Sequence, residues 1–265
     1  MTAYAIRHLA DEFAVAADSL CYGPHSEPYG FLCKLAALPT IRSVLFARGK
    51  VEITHGAVAR LLLSPQVLTI EDAAEALPDI LRTLTEQFAV ELGLVGDPTK
   101  MRLCFFALAG WSEAENRARL YSFMSTENFE PLFDADRLYG TNVAPWPPVP
   151  AEFLPVPRAA DTLDDQLIGV LHGVDRYCVE NPAEADGTRL GGQITKVVIN
   201  ERQLTTTCIG AFPDWPAALA ARAAEDATLA DVAPAKVAGQ PTKDALRQAA
   251  RRKAERDARK KARRR

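Results

Sequence analysis

A chain of 265 residues in which 48% of side chains are hydrophobic can bury one large core or two small ones. Its net charge of −3 hides a split: residues 243–265 carry 12 Lys/Arg against 3 Asp/Glu, a net +9, while the 242 residues before them carry 19 against 31, a net −12. No apolar run approaches the roughly 20 residues of a membrane span, no basic region followed by an apolar one opens the chain, and Cys21, Cys33, Cys104, Cys178 and Cys208 are odd in number and lack a CxxC pair, so the chain reads as a reduced, cytoplasmic protein without a disulfide scaffold or structural zinc.

Residues 2–8 (TAYAIRH) and 13–18 (FAVAAD) are predicted strands joined by the polar turn Ala10-Asp11-Glu12. A second pair is predicted over residues 31–36 (FLCKLA) and 41–47 (IRSVLFA), split by Leu38-Pro39-Thr40 and stopped by Arg48-Gly49. The period then changes. Residues 54–64 and 69–92 place apolar side chains at helical spacing, the second with Thr69 and Asp72 as its start and Gly93 as its stop.

Residues 101–109 (MRLCFFALA) form a buried strand pattern ending at Gly110-Trp111, and residues 118–124 pair with it across the polar turn 112–116. Residues 145–157 contain six prolines, which predicts an extended, stiff segment free of regular structure. A helix is expected from Thr162 to about Val179, amphipathic through Leu163, Leu167, Val170, Leu171, Val174 and Cys178. Gly191-Gly192 then opens a closing hairpin over residues 193–200 and 203–210.

Strands, two helices, strands, helix, strands is an order that fits an α+β αββα sandwich, two antiparallel sheets flanked by helices, better than a doubly wound parallel sheet. One domain is expected over residues 1–215, with the Pro-rich 145–157 segment inside it, then a linker over 216–242 and a basic tail over 243–265, helical or disordered. Such a tail suits nucleic acid or another acidic partner through phosphate or surface charge. It has no interleaved aromatic residues to read bases.

Three polar residues carry the chemistry. If Met1 is trimmed, Thr2 holds a free α-amine beside its own hydroxyl, a nucleophile and a base in one residue, and an α-amine of ordinary pKa about 7.7–8.0 is substantially neutral at physiological pH. Lys34 stands among Phe31, Leu32, Cys33, Leu35 and Ala36, so its desolvated ammonium needs a carboxylate, and Asp18 closes the preceding apolar strand. A cation beside the hydroxyl lowers its pKa and favours neutral amine over ammonium. Taken singly, Thr2 is a small residue after the initiator, Lys34 a snorkelling lysine and Asp18 a turn residue.

The spacing of Thr2, Asp18 and Lys34 within these strands resembles the Ntn (N-terminal nucleophile) hydrolases, and within them the proteasome β-type subunits and bacterial proteasome-like threonine peptidases. The resemblance spans most of residues 2–214, is strongest over 2–49 and loosest over 125–160. It implies cleavage of peptide or protein amide bonds through an acyl-enzyme on Thr2, with Lys34 tuning the nucleophile, Asp18 holding Lys34 and the Gly49 N–H binding the oxyanion. Ser19, Asp186 and Gly191 are the supporting positions. No cofactor or metal is implied, and a homo-oligomer, possibly a ring, is. The Met1-Thr2 opening is expected to need no propeptide removal and argues against the α-type ring subunits.

Two departures stand out. Leu190 occupies the place where the family has a Ser before its Gly-Gly pair, with Asp186 one residue early, and the family's mid-chain Ser has only Ser125 or Thr141 as counterparts. These departures support the alternative of a catalytically inactive Ntn-fold assembly or scaffold protein with a binding tail. A third alternative is an Ntn amidohydrolase acting on a small molecule. His8, His25, His55 and His172 lack ligand spacing, and Cys21 and Ser19, beside Asp18, read as pocket or turn residues.

Overall fold

The computed structural model describes residues 3–22, 28–48, 51–91, 104–133, 140–146, 148–183 and 189–213, all within the compact unit Met1–Ala218. In chain order these residues form β1 (Tyr4–His8), β2 (Glu12–Asp18), β3 (Leu20–Tyr22), β4 (Pro28–Phe31), β5 (Leu35–Leu38), β6 (Ser43–Arg48), α1 (Val51–Leu63), α2 (Ile70–Glu91), β7 (Phe105–Ser112) and β8 (Arg117–Met124). There follow β9 (Pro131–Phe133), β10 (Gly140–Trp146), α3 (Leu163–Glu180), β11 (Gln193–Asn200) and β12 (Leu204–Ala211). The strands build a five-stranded antiparallel sheet in the order β10-β1-β2-β11-β12, a second in the order β5-β6-β7-β8-β9, and a separate β3-β4 ribbon.

Strand periodicity of two explains why the apolar runs are nearly continuous: both faces are covered. Phe13, Val15 and Ala17 of β2 and Val44 and Phe46 of β6 share one core with Tyr4, Ala107, Trp111 and Leu120, which fills the space between the two sheets. Ala16, on the opposite face of β2, packs with Leu167, Leu171, Val174 and Cys178 of α3. Leu45, on the opposite face of β6, packs with Ile53, Ala57 and Leu61 of α1 and Ile70, Leu77 and Leu81 of α2.

Capping fixes where the helices start. Before α2 the Thr69 hydroxyl accepts the Asp72 N–H at 3.1 Å while the Asp72 carboxylate accepts the Thr69 N–H at 2.9 Å. The same reciprocal box joins Thr162 and Asp165 at the start of α3. Each satisfies donors that the first helical turn leaves without partners.

The structure corrects several sequence expectations. Residues 31–36 are not one strand: β4 ends at Phe31, residues 32–34 leave regular structure, and β5 starts at Leu35 in a different sheet. Local alternation cannot register such a change of partner. The Pro-rich stretch is not free of regular structure either, because Pro145 lies in β10 opposite Ala5 and a short 3-10 turn spans Ala151–Phe153. β10 is an edge strand, where a residue without an N–H is tolerated. The strand expected to end at Gly110 runs to Ser112, and β9 and β10 were not expected as strands at all. The linker and the basic tail, residues 216–265, lie outside the described residues.

Gly173 decides how closely α3 approaches the chain around Phe153. A Cβ there would sit 2.2 Å from the Phe153 backbone oxygen, so the gain of roughly 1 kcal/mol that Ala usually gives over Gly in a helix is outweighed by overpacking against backbone. Gly173→Ala is expected to destabilise the protein by about 1–3 kcal/mol in urea unfolding. A more stable variant would show that this contact is loose.

Candidate active site

The Asp18 side chain is fully buried at the end of β2, and the Lys34 side chain is only 8% exposed. Lys34 Nζ meets Asp18 Oδ1 at 2.6 Å. The other carboxylate oxygen accepts the Gly191 N–H at 3.1 Å and the Leu20 N–H at 3.2 Å. Three donors from three separate segments thus compensate one buried charge, which is the condition for keeping a carboxylate ionised away from water.

Ser19 is buried beside it and ties the same loop down. Its N–H donates to the Gly191 carbonyl at 3.2 Å, and its hydroxyl accepts the Gln193 N–H at 2.9 Å. The Ser19 carbonyl in turn accepts the Leu32 N–H at 2.8 Å, two residues before Lys34. Gly192 adopts φ 76°, the left-handed conformation that glycine takes without strain, and its carbonyl accepts the Phe212 N–H at 2.8 Å. The structure brings Asp18, Ser19, Lys34 and Gly191 together.

Their place in the sheet is set by register. Tyr4 pairs with Ala17, so β1 begins at the sheet end where β2 finishes in Asp18, and β11 begins there too, with Ile194 opposite Asp18. Ala3, the residue after Thr2, is fully buried against α3. Thr2, Gly49 and Asp186 lie outside the described residues, as does His25. Of the two candidates for the mid-chain Ser, Ser125 opens a 3-10 turn after β8 and Thr141 lies in β10.

Two contacts were not foreseen. The Tyr4 hydroxyl, buried between the sheets, donates to the Ala47 carbonyl of β6 at 2.5 Å. Burial pushes its phenol well above the ordinary tyrosine range, and the Asp18 charge adds to that. The apolar run of β1 is buried on both faces and gives no hint of where the Tyr4 hydroxyl goes. Asp175 of α3 holds Arg189 at 3.0 and 3.2 Å and accepts the Leu190 N–H at 3.0 Å, bracing the chain just before Gly191.

Cys21 is not poised as a nucleophile. Burial pushes its thiol up, and this outweighs the opposing pull of the Lys34 ammonium. Cys33 is exposed and directs its thiol to the Leu35 carbonyl at 3.2 Å. Burial likewise holds His8 below the ordinary histidine range, and its Nε2 lies 3.2 Å from the Ala118 carbonyl. Among the described residues no three His, Cys, Asp or Glu side chains come together to hold a metal ion, and no helix is long and apolar enough to cross a membrane.

No protein-family model and no curated protein matches the sequence. The fold is similar to solved structures of Anbu (ancestral beta-subunit) proteins. The Yersinia bercovieri Anbu is 18% identical with a TM-score of 0.51, covering 90% of this chain and 100% of its own. A Pseudomonas aeruginosa Anbu, solved as a helical assembly, is 18% identical with a TM-score of 0.54, covering 90% of this chain and 98% of its own. Among the described residues the fold is a mixed α+β arrangement of two five-stranded antiparallel sheets, a two-stranded ribbon and three α-helices, consistent with a proteasome-like fold.

It also corrects the sequence resemblance. The structures similar in fold are Anbu proteins, a proteasome-like family distinct from the proteasome β-type subunits and threonine peptidases to which the spacing pointed. Three residues at set distances along two hairpins describe an arrangement of strands that related families share. Such a spacing cannot separate one family from the next.

The ion pair yields a stability test. Asp18→Asn leaves the Lys34 ammonium buried without a counter-charge, which is expected to cost roughly 3–5 kcal/mol in chemical unfolding. Lys34→Met in the Asp18→Asn background should recover a large part of that loss. Full stability of Asp18→Asn would mean that the pair is not buried as described.

Proposed function

We propose that this chain is a proteasome-like Ntn-fold hydrolase of αββα architecture that cleaves amide bonds of peptides or proteins through an acyl-enzyme on Thr2 once Met1 is lost. The supporting observation is the buried Asp18–Lys34 pair, held by the Gly191 amide at the sheet end where β1 begins. Thr2 Oγ bonds to the carbonyl carbon as its proton passes to the Thr2 α-amine. The tetrahedral oxyanion is met by the Gly49 N–H. The amine then returns the proton to the departing nitrogen as the C–N bond breaks, leaving an ester on Thr2. Water attacks the ester carbon and gives its proton to the same amine, which passes it to Thr2 Oγ as the ester C–O bond breaks, releasing the carboxylic acid product and the free Thr2 hydroxyl.

Lys34 acts throughout as a fixed positive field. Its charge favours the neutral amine over ammonium and lowers the pKa of the hydroxyl, while Asp18 keeps it aimed. Ser19, Gly191 and Asp186 support the loop beside the amine. The reaction as written consumes only water and needs no cofactor.

The same reading makes the protein a cytoplasmic homo-oligomer. The helical assembly of the Pseudomonas aeruginosa Anbu supports self-association of this chain as well. Its domain would cover residues 1–215, followed by a linker over 216–242 and a tail over 243–265 that binds nucleic acid or an acidic partner by charge.

One observation favours an inactive scaffold instead. Leu190, at the position where the resemblance implies a Ser, is buried in the core with Leu171 and Val174. A β-lactone probe separates the two readings. The hydrolase reading expects an intact mass lacking Met1 and covalent labelling at Thr2 that is lost in Thr2→Ala and strongly slowed in Lys34→Ala. Retained Met1, or equal labelling of all three proteins, would overturn the Thr2 hydrolase reading.

The tail is tested separately. Deletion of residues 243–265 should abolish retention on a nucleic-acid column at low salt while leaving Thr2 labelling unchanged. Undiminished retention of the truncated protein would remove the tail's binding role.

A further inference from the structure

Among the described residues the two five-stranded sheets end in four edge strands, and three of these are poor templates for a further strand. β10 carries Pro145 and β9 opens on Pro131, each without an N–H to offer, while β5 has only four residues. β12 has none of these protections. It runs for eight residues, LTTTCIGA, without a proline or a charge, and Thr206, Thr207 and Cys208 are exposed.

The ladder to β11 fixes which main-chain groups of β12 point to the open side. The Asn200 N–H donates to the Gln203 carbonyl at 3.0 Å, and hydrogen-bonded pairs recur at every second position from there, so Thr205 and Thr207 bond to Val198 and Lys196. Leu204, Thr206 and Cys208, opposite Ile199, Val197 and Thr195, therefore direct their N–H and C=O groups away from β11. The turn before Leu204 and the register shift after Cys208 bound this run on its two sides.

We propose that β12 is a self-association surface to which a second copy of this chain adds its own β12, antiparallel, with Thr206 opposite Thr206 on a two-fold axis. The inference rests on the homo-oligomer reading given above and is independent of the Thr2 chemistry. Residues 204–208 are their own complement. With the axis at Thr206 the three outward residues pair among themselves, Thr206 with Thr206 and Leu204 with Cys208 in both directions, while Thr205 faces Thr207. Centring the axis on Thr205 or Thr207 leaves one of these three pairs unmade. The lack of charge favours a second copy as the occupant, because a strand that meets itself sets like charges against each other wherever it carries one near the axis. Threonine beside threonine is instead a favourable cross-strand pair.

The test places a charge on the axis in the full chain. Thr206→Lys and Thr206→Glu each oppose like charges and are expected to weaken self-association at least about tenfold in sedimentation equilibrium. An equimolar mixture of the two, which opposes unlike charges, should recover it. Thr206 is exposed and its N–H is not used by β11, so both variants should keep the fold. Amide exchange over residues 204–208 of the unmodified chain adds a readout free of any substitution, and it should speed on dilution in step with loss of the assembly. Unchanged association of both variants, or a mixture no stronger than either alone, would overturn the pairing at Thr206. So would an assembled chain whose 204–208 amides exchange no faster once diluted to monomer. An unmodified chain that is monomeric at every concentration would overturn the homo-oligomer reading itself, and this interface with it.

Discussion

The Asp18 carboxylate is the constraint around which this end of the molecule is built. A charge that is fully buried must gather its donors from whatever chain can reach it, and here they come from its own strand exit, the segment crossing between sheets and the loop before β11. Lys34 is drawn out of regular structure to reach it, which is why the chain leaves the β3-β4 ribbon at Phe31 and resumes pairing only at Leu35. The Gly191 amide is held by the same group, so the loop preceding β11 cannot shift without exposing an unpaired charge. One buried carboxylate thereby fixes three segments that are far apart in sequence.

The two sheets are pinned at their opposite end by a different device. Arg42 adopts φ 44°, its carbonyl accepts the Trp111 N–H at 3.1 Å, and its guanidinium reaches both the Glu201 carbonyl in the β11–β12 turn and the Glu113 carboxylate in the β7–β8 turn. Near Asp18, the Tyr4–Ala47 bond joins the sheets again. Between these two ties lies the aromatic core of Phe13, Phe46 and Trp111. Groups carried on strands clamped in this way are held more closely than loops alone allow.

Much of this was legible before any coordinates. Asp18 and Lys34 declare themselves because a charged residue inside an apolar run must be compensated, and the helices declare themselves by period, the second also by its Thr69–Asp72 cap. What stayed hidden depends on which strand meets which. The change of sheet between Phe31 and Leu35 leaves the local pattern intact, Pro145 joins a strand only because β10 is an edge, and Asp175 reaches Leu190 from a helix with no sequence cue linking them. Tyr4 and its hydroxyl's partner on another sheet were not singled out at all. The spacing of Thr2, Asp18 and Lys34 pointed to the proteasome β-type subunits, whereas the structures similar in fold are Anbu proteins.

Leu190 and the ion pair pull the functional reading in opposite directions, and their energetics are unequal. Replacing a buried ion pair by apolar side chains of similar volume is often neutral or stabilising by about 1–4 kcal/mol, so a pure scaffold gains little from keeping Asp18 and Lys34. Leu190, by contrast, improves packing against α3 at no electrostatic cost, and the support a Ser hydroxyl would give the loop is supplied by main-chain bonds from Leu190 to Asp175 and from Gly191 to Asp18. The costly charged pair is what supports the proposed hydrolysis, while the backbone amides of Leu190 and Gly191 hold the neighbouring loop without a Ser hydroxyl. On that balance the ion pair weighs more for the proposed hydrolase than Leu190 weighs for the scaffold.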